Sequence, residues 1–226
     1  MDRKTISVAL DGPGGAGKST VARAIAKKYG FTYVDTGAIY RTVGLYVLRA
    51  GAEPRSPEAV EPLLSGINIE IEYGEDGQRM LLNGEDVTGL IRSPEISMYA
   101  SAVSALPAVR AFLLDMQRSL AARKDVVMDG RDIGTVVLPD AQVKIFLTAS
   151  IDERARRRYD ELKAKGEAQS LEEVRADMLR RDKNDTERAV APLKQAQDAV
   201  LVDTTQLGFD EAVEAVSKII REKTGR

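Results

Sequence analysis

A glycine-rich segment, GPGGAGKS at residues 12–19, constrains the fold of this 226-residue chain more than any other part of the sequence. It follows a short apolar, β-branched run at 5–10 and precedes a run at 18–29 whose apolar residues recur on one helical face. A turn of this composition between a strand and a helix is typical of a P-loop, because its glycines let successive backbone N–H groups point at phosphate oxygens. The sequence therefore predicts an α/β fold with parallel strands and a nucleoside triphosphate site at this loop.

Individual loop residues have separate predicted roles. Lys18 is expected to bridge the β- and γ-phosphates, the Ser19 hydroxyl to ligate Mg²⁺, and Thr20 to meet the α-phosphate. The helix that begins near Lys18 adds its positive N-terminal end. The residues predicted to bind ATP are Gly12, Pro13, Gly14, Gly15, Ala16, Gly17, Lys18, Ser19 and Thr20.

The composition narrows the chemistry that such a site can perform. The chain contains no Cys and no His, which excludes disulfides, thiolate catalysis and the usual transition-metal sites. Phosphoryl transfer fits what remains, because it depends mainly on positioning and charge neutralisation. With 33 basic and 35 acidic residues the net charge is −2, so we expect no nucleic-acid partner. Since the sequence shows neither a membrane-spanning apolar run nor a signal-like N-terminus, we expect no membrane partner and a cytoplasmic location.

Strand and helix patterns alternate along most of the chain. Short apolar runs predict further strands of a five-stranded parallel sheet at 31–34, 125–128, 143–147 and 199–202. Helical spacing predicts helices at 35–50, 108–123, 152–165, 171–183 and 210–222. The joint between the two charged helices contains Gly166 and suits a mobile helical hairpin.

The stretch between about 53 and 107 has a different character. Its alternating run INIEIEY at 67–73, a turn at 74–77 and a return at 79–82 predict a small antiparallel hairpin. We therefore expect a core at 1–62 and 105–226, with the charged hairpin at about 152–185 inside it. The segment at 63–104 is expected to be an insertion between the two parts of the core.

A P-loop by itself does not distinguish a kinase from a GTPase or a motor ATPase. A GTPase normally carries Asn-Lys-x-Asp to bind guanine, and the segment DKND at 182–185 has those residue types in another order. A motor would be longer than this chain. The size therefore favours a small kinase.

Four segments together resemble the bacterial cytidylate kinases, a family of P-loop nucleoside monophosphate kinases. They are DGPGGAGKS at 11–19, DTGAIYR at 35–41, DGRDIGTVV at 129–137 and RAVAPL at 188–193. The departures are small: Gly14 and Thr36 stand where many members carry Ser, and Ser19 is Gly in some. The resemblance implies a three-layer P-loop kinase fold and transfer of a phosphoryl group from ATP to CMP or dCMP, with Mg²⁺ as cofactor.

The resemblance also implies which residues bind CMP. Arg41, Arg131 and Arg188 would hold the acceptor phosphate, and arginine suits this because it binds phosphate in a bidentate fork. Asp132 would accept a hydrogen bond from the cytosine amino group, where uracil presents an acceptor instead. The full predicted CMP-binding set is Thr36, Tyr40, Arg41, Ser101, Arg110, Arg131, Asp132, Arg181, Asp185 and Arg188.

Four of these residues, and also Asp129, have ordinary structural alternatives. Ser101 and Arg110 on their own look like helix-surface residues. Arg181 and Asp185, which the resemblance places on the sugar, are also spaced as an i,i+4 helical pair. Asp129 follows an apolar run and is expected either to cap the next turn or to act near Mg²⁺, directly or through water.

The densest basic run, ERARRR at 153–158, is interpreted as part of a lid that closes over ATP and excludes water. The alternative is a solvated helix face or a nucleic-acid patch. Spacing does not tell which of Arg154, Arg157 and Arg158 reaches the phosphoryl group. The predicted catalytic residues are Lys18, Arg131, Arg188 and Arg157.

Two rival functions remain at this point, and we expect a monomer in each case. One is a kinase of another small acceptor, such as UMP, a nucleoside or shikimate. The other is a nucleotide-dependent binding switch.

Overall fold

The computed structural model describes residues 5–74, 77–164 and 166–226. These divide into two compact units, one of Met1–Thr32 with Lys124–Arg226 and one of Tyr33–Arg123. The predicted helical lid belongs to the first unit and the predicted insertion to the second. Glu75 and Asp76 of the predicted hairpin turn, and Lys165 of the predicted joint, lie outside the described residues.

The regular elements follow the predicted alternation. The strands are β1 Ser7–Asp11, β2 Thr32–Asp35, β3 Ile69–Gly74, β4 Gly77–Leu82, β5 Glu85–Asp86, β6 Val126–Gly130, β7 Val143–Thr148 and β8 Val200–Asp203. The helices are α1 Lys18–Tyr29, α2 Thr36–Arg49, α3 Pro57–Val60, α4 Pro94–Val103, α5 Pro107–Arg123, α6 Ile151–Ala164, α7 Leu171–Glu187 and α8 Phe209–Thr224. Among these residues no single helix is long and apolar enough to span a membrane, although α4 and α5, bent by 98° at their junction, pass that test as a pair.

The five-stranded sheet has the order β2-β6-β1-β7-β8, and four of its strands, β1, β6, β7 and β8, lie in the first unit. The central strand β1 is buried along its whole length and pairs in parallel with β6 and β7. Burial on both faces explains its uninterrupted apolar sequence. The register sets Asp11 beside Gly130, so the end of β1 and the end of β6 meet at one edge of the sheet. Functional groups of open parallel sheets gather at this edge.

The second unit contains the small antiparallel sheet β3-β4-β5 and the helix pair α2 and α4. These two helices cross closely at Gly44, where an added Cβ would lie 2.9 Å from the backbone nitrogen of Ala100. The sequence analysis did not predict α4. Its start signals were present nevertheless, since Ser93 caps the helix by accepting a hydrogen bond from Ile96 N and Pro94 occupies its first position.

The predicted fold class is confirmed. The structure contains the five-stranded parallel sheet, the small antiparallel sheet and the charged helices α6 and α7. The turn Ile133–Val137 was not predicted; it follows β6 as a single π-helical turn. It carries the chain away from the sheet edge just after Arg131 and Asp132.

Candidate active site

The phosphate loop owes its shape to three glycines with positive φ. Gly12, Gly15 and Gly17 have φ values of 144°, 74° and 87°, which other residues rarely adopt. A Cβ at Gly12 would also overlap the carbonyl oxygen of Leu147 on β7. Gly17 caps α1 without a side-chain hydrogen bond among the described residues, so the first N–H groups of the helix are available to an anion.

Lys18 lies inside this loop rather than on the surface. Its side chain is buried, and its Nζ donates to the carbonyl oxygen of Pro13 at 2.7 Å. Burial and the nearby Arg131 guanidinium lower the pKa of Lys18 to about 7, against the opposing effect of the carboxylates of Asp129 and Asp11. A bound triphosphate would restore the charged ammonium, because an adjacent anion favours the cationic form.

We expect ATP affinity to depend on pH through Lys18. The group titrates near pH 7 in the free protein, and its pKa rises when phosphates bind, so binding takes up a proton above pH 7. The dissociation constant for ATP should therefore be about tenfold larger at pH 8 than at pH 6. Calorimetry in buffers of different ionisation enthalpy measures both the affinity and the proton uptake. Lys18→Ala is the control, and an equal pH dependence in that variant would contradict the assignment.

Ser19 and Asp129 form the part of the site that fits Mg²⁺. The Ser19 hydroxyl donates to Oδ2 of Asp129 at 2.7 Å, and Asp129 is buried near the end of β6. Both provide the oxygen ligands that Mg²⁺ prefers. The described residues hold no group of three or more His, Cys, Asp or Glu side chains that could bind a metal ion by themselves.

Two ion pairs, one partly buried and one buried, order the arginines that follow β6 and α7. Nε of Arg131 donates to Oδ2 of Asp185 at 2.8 Å. Nη2 of Arg188 donates to Oδ1 of Asp132 at 3.1 Å, and these two side chains are only 5% and 6% exposed. Burial alone would raise the pKa of Asp185, but Arg131 and the neighbouring arginines Arg181 and Arg188 hold it below its usual value.

These contacts bear on the alternatives left open by the sequence. Asp185 is hydrogen-bonded to Arg131, 54 positions away, while Arg181 acts on it as a nearby charge. Asp129 accepts from Ser19. Asp132, predicted to meet cytosine, contacts Arg188, predicted to hold the phosphate.

The charged hairpin packs directly on the phosphate loop. Helices α6 and α7 enclose a small apolar cluster of Ala155, Leu162, Val174 and Met178. Met178 approaches the loop so closely that a Cβ at Gly15 would lie 2.6 Å from its Cε. The hairpin therefore forms one wall of the phosphate site.

The structure separates the three arginines that spacing left equivalent. Arg154 is buried and donates from Nη1 to the carbonyl oxygen of Gly14 at 3.0 Å and to Oδ2 of Asp182 at 2.6 Å. Arg157 donates from Nη2 to the carbonyl oxygen of Thr204 at 2.7 Å, and its Nη1 lies 4.0 Å from where a Cβ of Gly17 would be. Arg158 instead contacts Glu161, at 2.9 Å. Arg154 and Arg157 thus border the loop, the first at Gly14 and the second near Gly17.

The second unit orders its own set of predicted residues around the start of α2. Asp35 caps this helix by accepting from Ala38 N at 2.8 Å, and its other oxygen accepts from Nη2 of Arg41 at 3.0 Å. Gln78 on β4 holds Asp35 by accepting from its backbone N–H at 2.8 Å. The carboxylate therefore fixes the direction of Arg41.

The base-binding candidates of the second unit lie on α2, α4 and α5. Arg110 is buried, stacks over the ring of Tyr40 at 5.5 Å and donates to the carbonyl oxygen of Ser104 at 3.2 Å. Thr36 is buried at the first position of α2, and Ser101 is half-buried on α4. Among the loop residues, Thr20 is exposed in the first turn of α1.

Sequence reasoning missed three residues that order the site: Asp11, Asp35 and Gln78. Asp35 was readable in principle, because an Asp between a strand and a helix is a cap signal. Asp11 stood inside a recognised motif, but its partners Ile133 N and Gly134 N are more than 120 positions away. Gln78 gave no signal, since nothing local distinguishes it from an ordinary strand residue.

Comparison with known proteins gives a consistent result over the whole chain. The cytidylate kinase family model matches residues 8–222. The cytidylate kinase of Carboxydothermus hydrogenoformans is 53% identical over 216 residues, covering 96% of this chain and 97% of its own. That of Caldanaerobacter subterraneus is 51% identical over 224 residues, covering 99% and 98%. An uncharacterized protein from Eubacterium ventriosum matches in structure with a TM-score of 0.53 at 14% identity, covering 99% of this chain and 100% of that one, which concerns the fold alone.

Proposed function

This chain belongs to the cytidylate kinase family, and we propose that it transfers the γ-phosphoryl group of ATP to CMP or dCMP, giving ADP and CDP or dCDP. The observation that carries the proposal is the family match over nearly the full length, joined to a phosphate loop with a buried Lys18 beside arginines. Neither a P-loop nor an arginine cluster alone would specify the acceptor.

The donor half of the mechanism rests on the loop. Its N–H groups and the start of α1 would bind the phosphates, and Lys18 would exchange the carbonyl of Pro13 for phosphate oxygens. Mg²⁺, when bound, supplies charge neutralisation and orients the β- and γ-phosphates. Ser19 would hold it directly, and Asp129 directly or through water.

The acceptor half uses arginines that carboxylates already orient. Arg131 and Arg188 in the first unit, and Arg41 in the second, would bind the acceptor phosphate. An ionised phosphate oxygen attacks the γ-phosphorus in line, so no protein base is needed. The absence of His from the sequence is consistent with this.

We further propose that Arg154 and Arg157 serve the lid function. Each lies beside the phosphate loop. Arg154 donates a hydrogen bond to the carbonyl oxygen of Gly14, and Arg157 donates one to the carbonyl oxygen of Thr204. Exchange of these bonds for phosphate oxygens would add positive charge to the transferring group, as arginines do in phosphoryl transfer. Of these two arginines, Arg157 is the one that we propose as catalytic.

Base and sugar recognition are assigned as the resemblance implies. Asp132, Ser101 and Arg110 would bind cytosine, and Arg181 with Asp185 would bind the sugar. Thr36 and Tyr40 complete the acceptor set. A cytoplasmic monomer without nucleic-acid or membrane partners remains a prediction.

An assay of ADP release over CMP, dCMP, UMP, AMP and shikimate tests the proposal. CMP and dCMP should be the best acceptors, and ADP release should be low without an acceptor. If UMP or shikimate were preferred, the chain would be a kinase of another acceptor. Nucleotide hydrolysis that no acceptor stimulates would favour the binding switch instead.

A further inference from the structure

The carboxylate of Asp11 makes contacts that the proposed mechanism does not use. Asp11 is the last residue of β1, directly before Gly12 of the phosphate loop, and is 4% exposed. Its Oδ1 accepts from Ile133 N and its Oδ2 from Gly134 N, each at 2.7 Å. Two short bonds from one buried carboxylate to consecutive N–H groups define the position of that backbone closely.

The backbone held in this way is the exit from the acceptor-binding segment. Ile133 and Gly134 begin the π-helical turn that follows Asp132, and the N–H groups at the start of a helical turn have no partner inside it. Asp11 supplies that partner. At the other side of the turn, Val136 N and Val137 N donate to the carbonyl oxygen of Asp132 at 2.9 and 3.2 Å.

The approach of Asp11 leaves little space for a side chain at position 134, which is glycine. A Cβ there would lie 3.3 Å from Oδ2 of Asp11 and 3.2 Å from Cδ of Lys144, both tighter than ordinary contacts. The carboxylate, the turn and the Lys144 side chain are therefore closely packed at this position.

From these contacts we propose that Asp11 is a positioning residue for acceptor recognition, which fixes the backbone of Arg131 and Asp132 relative to the phosphate loop. This rests on the proposed function of those two residues. Asp11 is joined by one peptide bond to the donor loop and by two hydrogen bonds to the acceptor segment. It thereby sets the separation of the two halves of the reaction within the first unit.

Burying a carboxylate costs free energy, which a purely structural contact would not need. Burial raises the pKa of Asp11 to about 6, although the N–H groups of Gly134 and Ile133 oppose the rise. Removing a carboxylate from water is disfavoured unless its hydrogen bonds recover the loss. In our proposal, the carboxylate is present because the backbone after Asp132 must be held at a fixed position.

Asp11→Asn tests the proposal because its shape is retained while one acceptor becomes a donor. The amide can accept one N–H, but its NH₂ group then faces the other. We expect the KM for CMP to rise by up to about 10²-fold and the preference for CMP over UMP to fall. The KM for ATP should change much less, through the smaller support that the Asp11 carboxylate gives to the charge of Lys18. Steady-state kinetics with each substrate varied in turn measure all three.

Val8→Ala is the matched control for a merely structural effect. Val8 is fully buried in the same strand, and its truncation lowers stability without removing a side-chain hydrogen bond to the turn. It should leave the KM for CMP and the CMP preference unchanged. Gly134→Ala, which pushes the turn away from Asp11, should reproduce the Asp11→Asn kinetics and serves if that variant does not fold.

The proposal is overturned if Asp11→Asn and Gly134→Ala keep the parent KM for CMP and the parent preference. It is also overturned if the KM for ATP rises by as large a factor as the KM for CMP, as in general loosening. The parent protein in the same assay separates this inference from the proposed function. If the parent protein shows no CMP-dependent ADP release, the proposed function itself is contradicted.

Discussion

Replacing Lys18 with alanine is expected to lower kcat by about 10²–10³-fold, the loss typical of removing one electrostatic stabiliser of a transition state. The ammonium is held at the centre of the phosphate loop by the carbonyl of Pro13. It lies close enough to Arg131 for that guanidinium to lower its pKa. Bound phosphates would raise that pKa again and restore the ammonium where negative charge spreads during transfer.

The fold should tolerate this substitution. The pKa of Lys18 is lowered to about 7 by burial and by Arg131, so the charged form is not favoured in the free protein. Removing it relieves repulsion with Arg131 and forfeits one hydrogen bond. Urea unfolding should show a change of at most about 1–2 kcal/mol.

Lys27→Ala is the matched control, because Lys27 is exposed on the same helix α1. It should retain the parent kcat. A Lys18→Ala protein that unfolds at the parent urea concentration but keeps the parent kcat would contradict the role of Lys18 in transfer.

Asp132→Asn is expected to lower the ratio of kcat/KM for CMP over UMP by about 10²-fold or more. In the proposed site, the carboxylate would accept a hydrogen bond from the cytosine amino group and repel the carbonyl oxygen of uracil. An amide can donate to that oxygen instead, so activity with UMP should rise while activity with CMP falls.

Asparagine is preferred to alanine here because of Arg188. The Asp132–Arg188 pair is buried, and deleting one partner of such a pair costs about 3–5 kcal/mol. The side-chain amide that Asp132→Asn introduces keeps one oxygen, which can still accept from Nη2 of Arg188. The KM for ATP should stay at the parent value.

Asp140→Asn is the control for the same chemical change at an exposed position of the same unit. It should leave the preference unchanged. If Asp132→Asn lowered kcat/KM for CMP and UMP equally, Asp132 would not be the residue that distinguishes the bases.

The phosphate loop was predictable because its geometry is local. Gly12, Gly15 and Gly17 need positive φ values, and the sequence records that need directly. The strand before and the helix after the loop follow from apolar periodicity over short windows. The Ser19–Asp129 contact was predictable in kind, because Ser19 lies in the first turn of the helix that follows β1 and Asp129 lies near the end of β6, the strand beside β1.

The missed features depend on contacts between distant parts of the chain. Asp185 had a local partner in Arg181 by spacing, yet its hydrogen bond goes to Arg131. The role of Asp11 follows from the β1–β6 register, which sets it beside Gly130. Helix α4 was missed because its apolar face packs on α2 around Gly44, a tertiary contact that periodicity does not report.

The fate of the γ-phosphate tests the central claim most directly. The reaction mixture contains Mg²⁺, CMP and ATP whose γ-phosphoryl group carries ¹⁸O as the label. Product analysis by ³¹P NMR should show the label in CDP and ADP formed in equal amount. Inorganic phosphate should be absent until much later. Label released as inorganic phosphate, or ADP formed at the same rate without CMP, would contradict transfer to CMP.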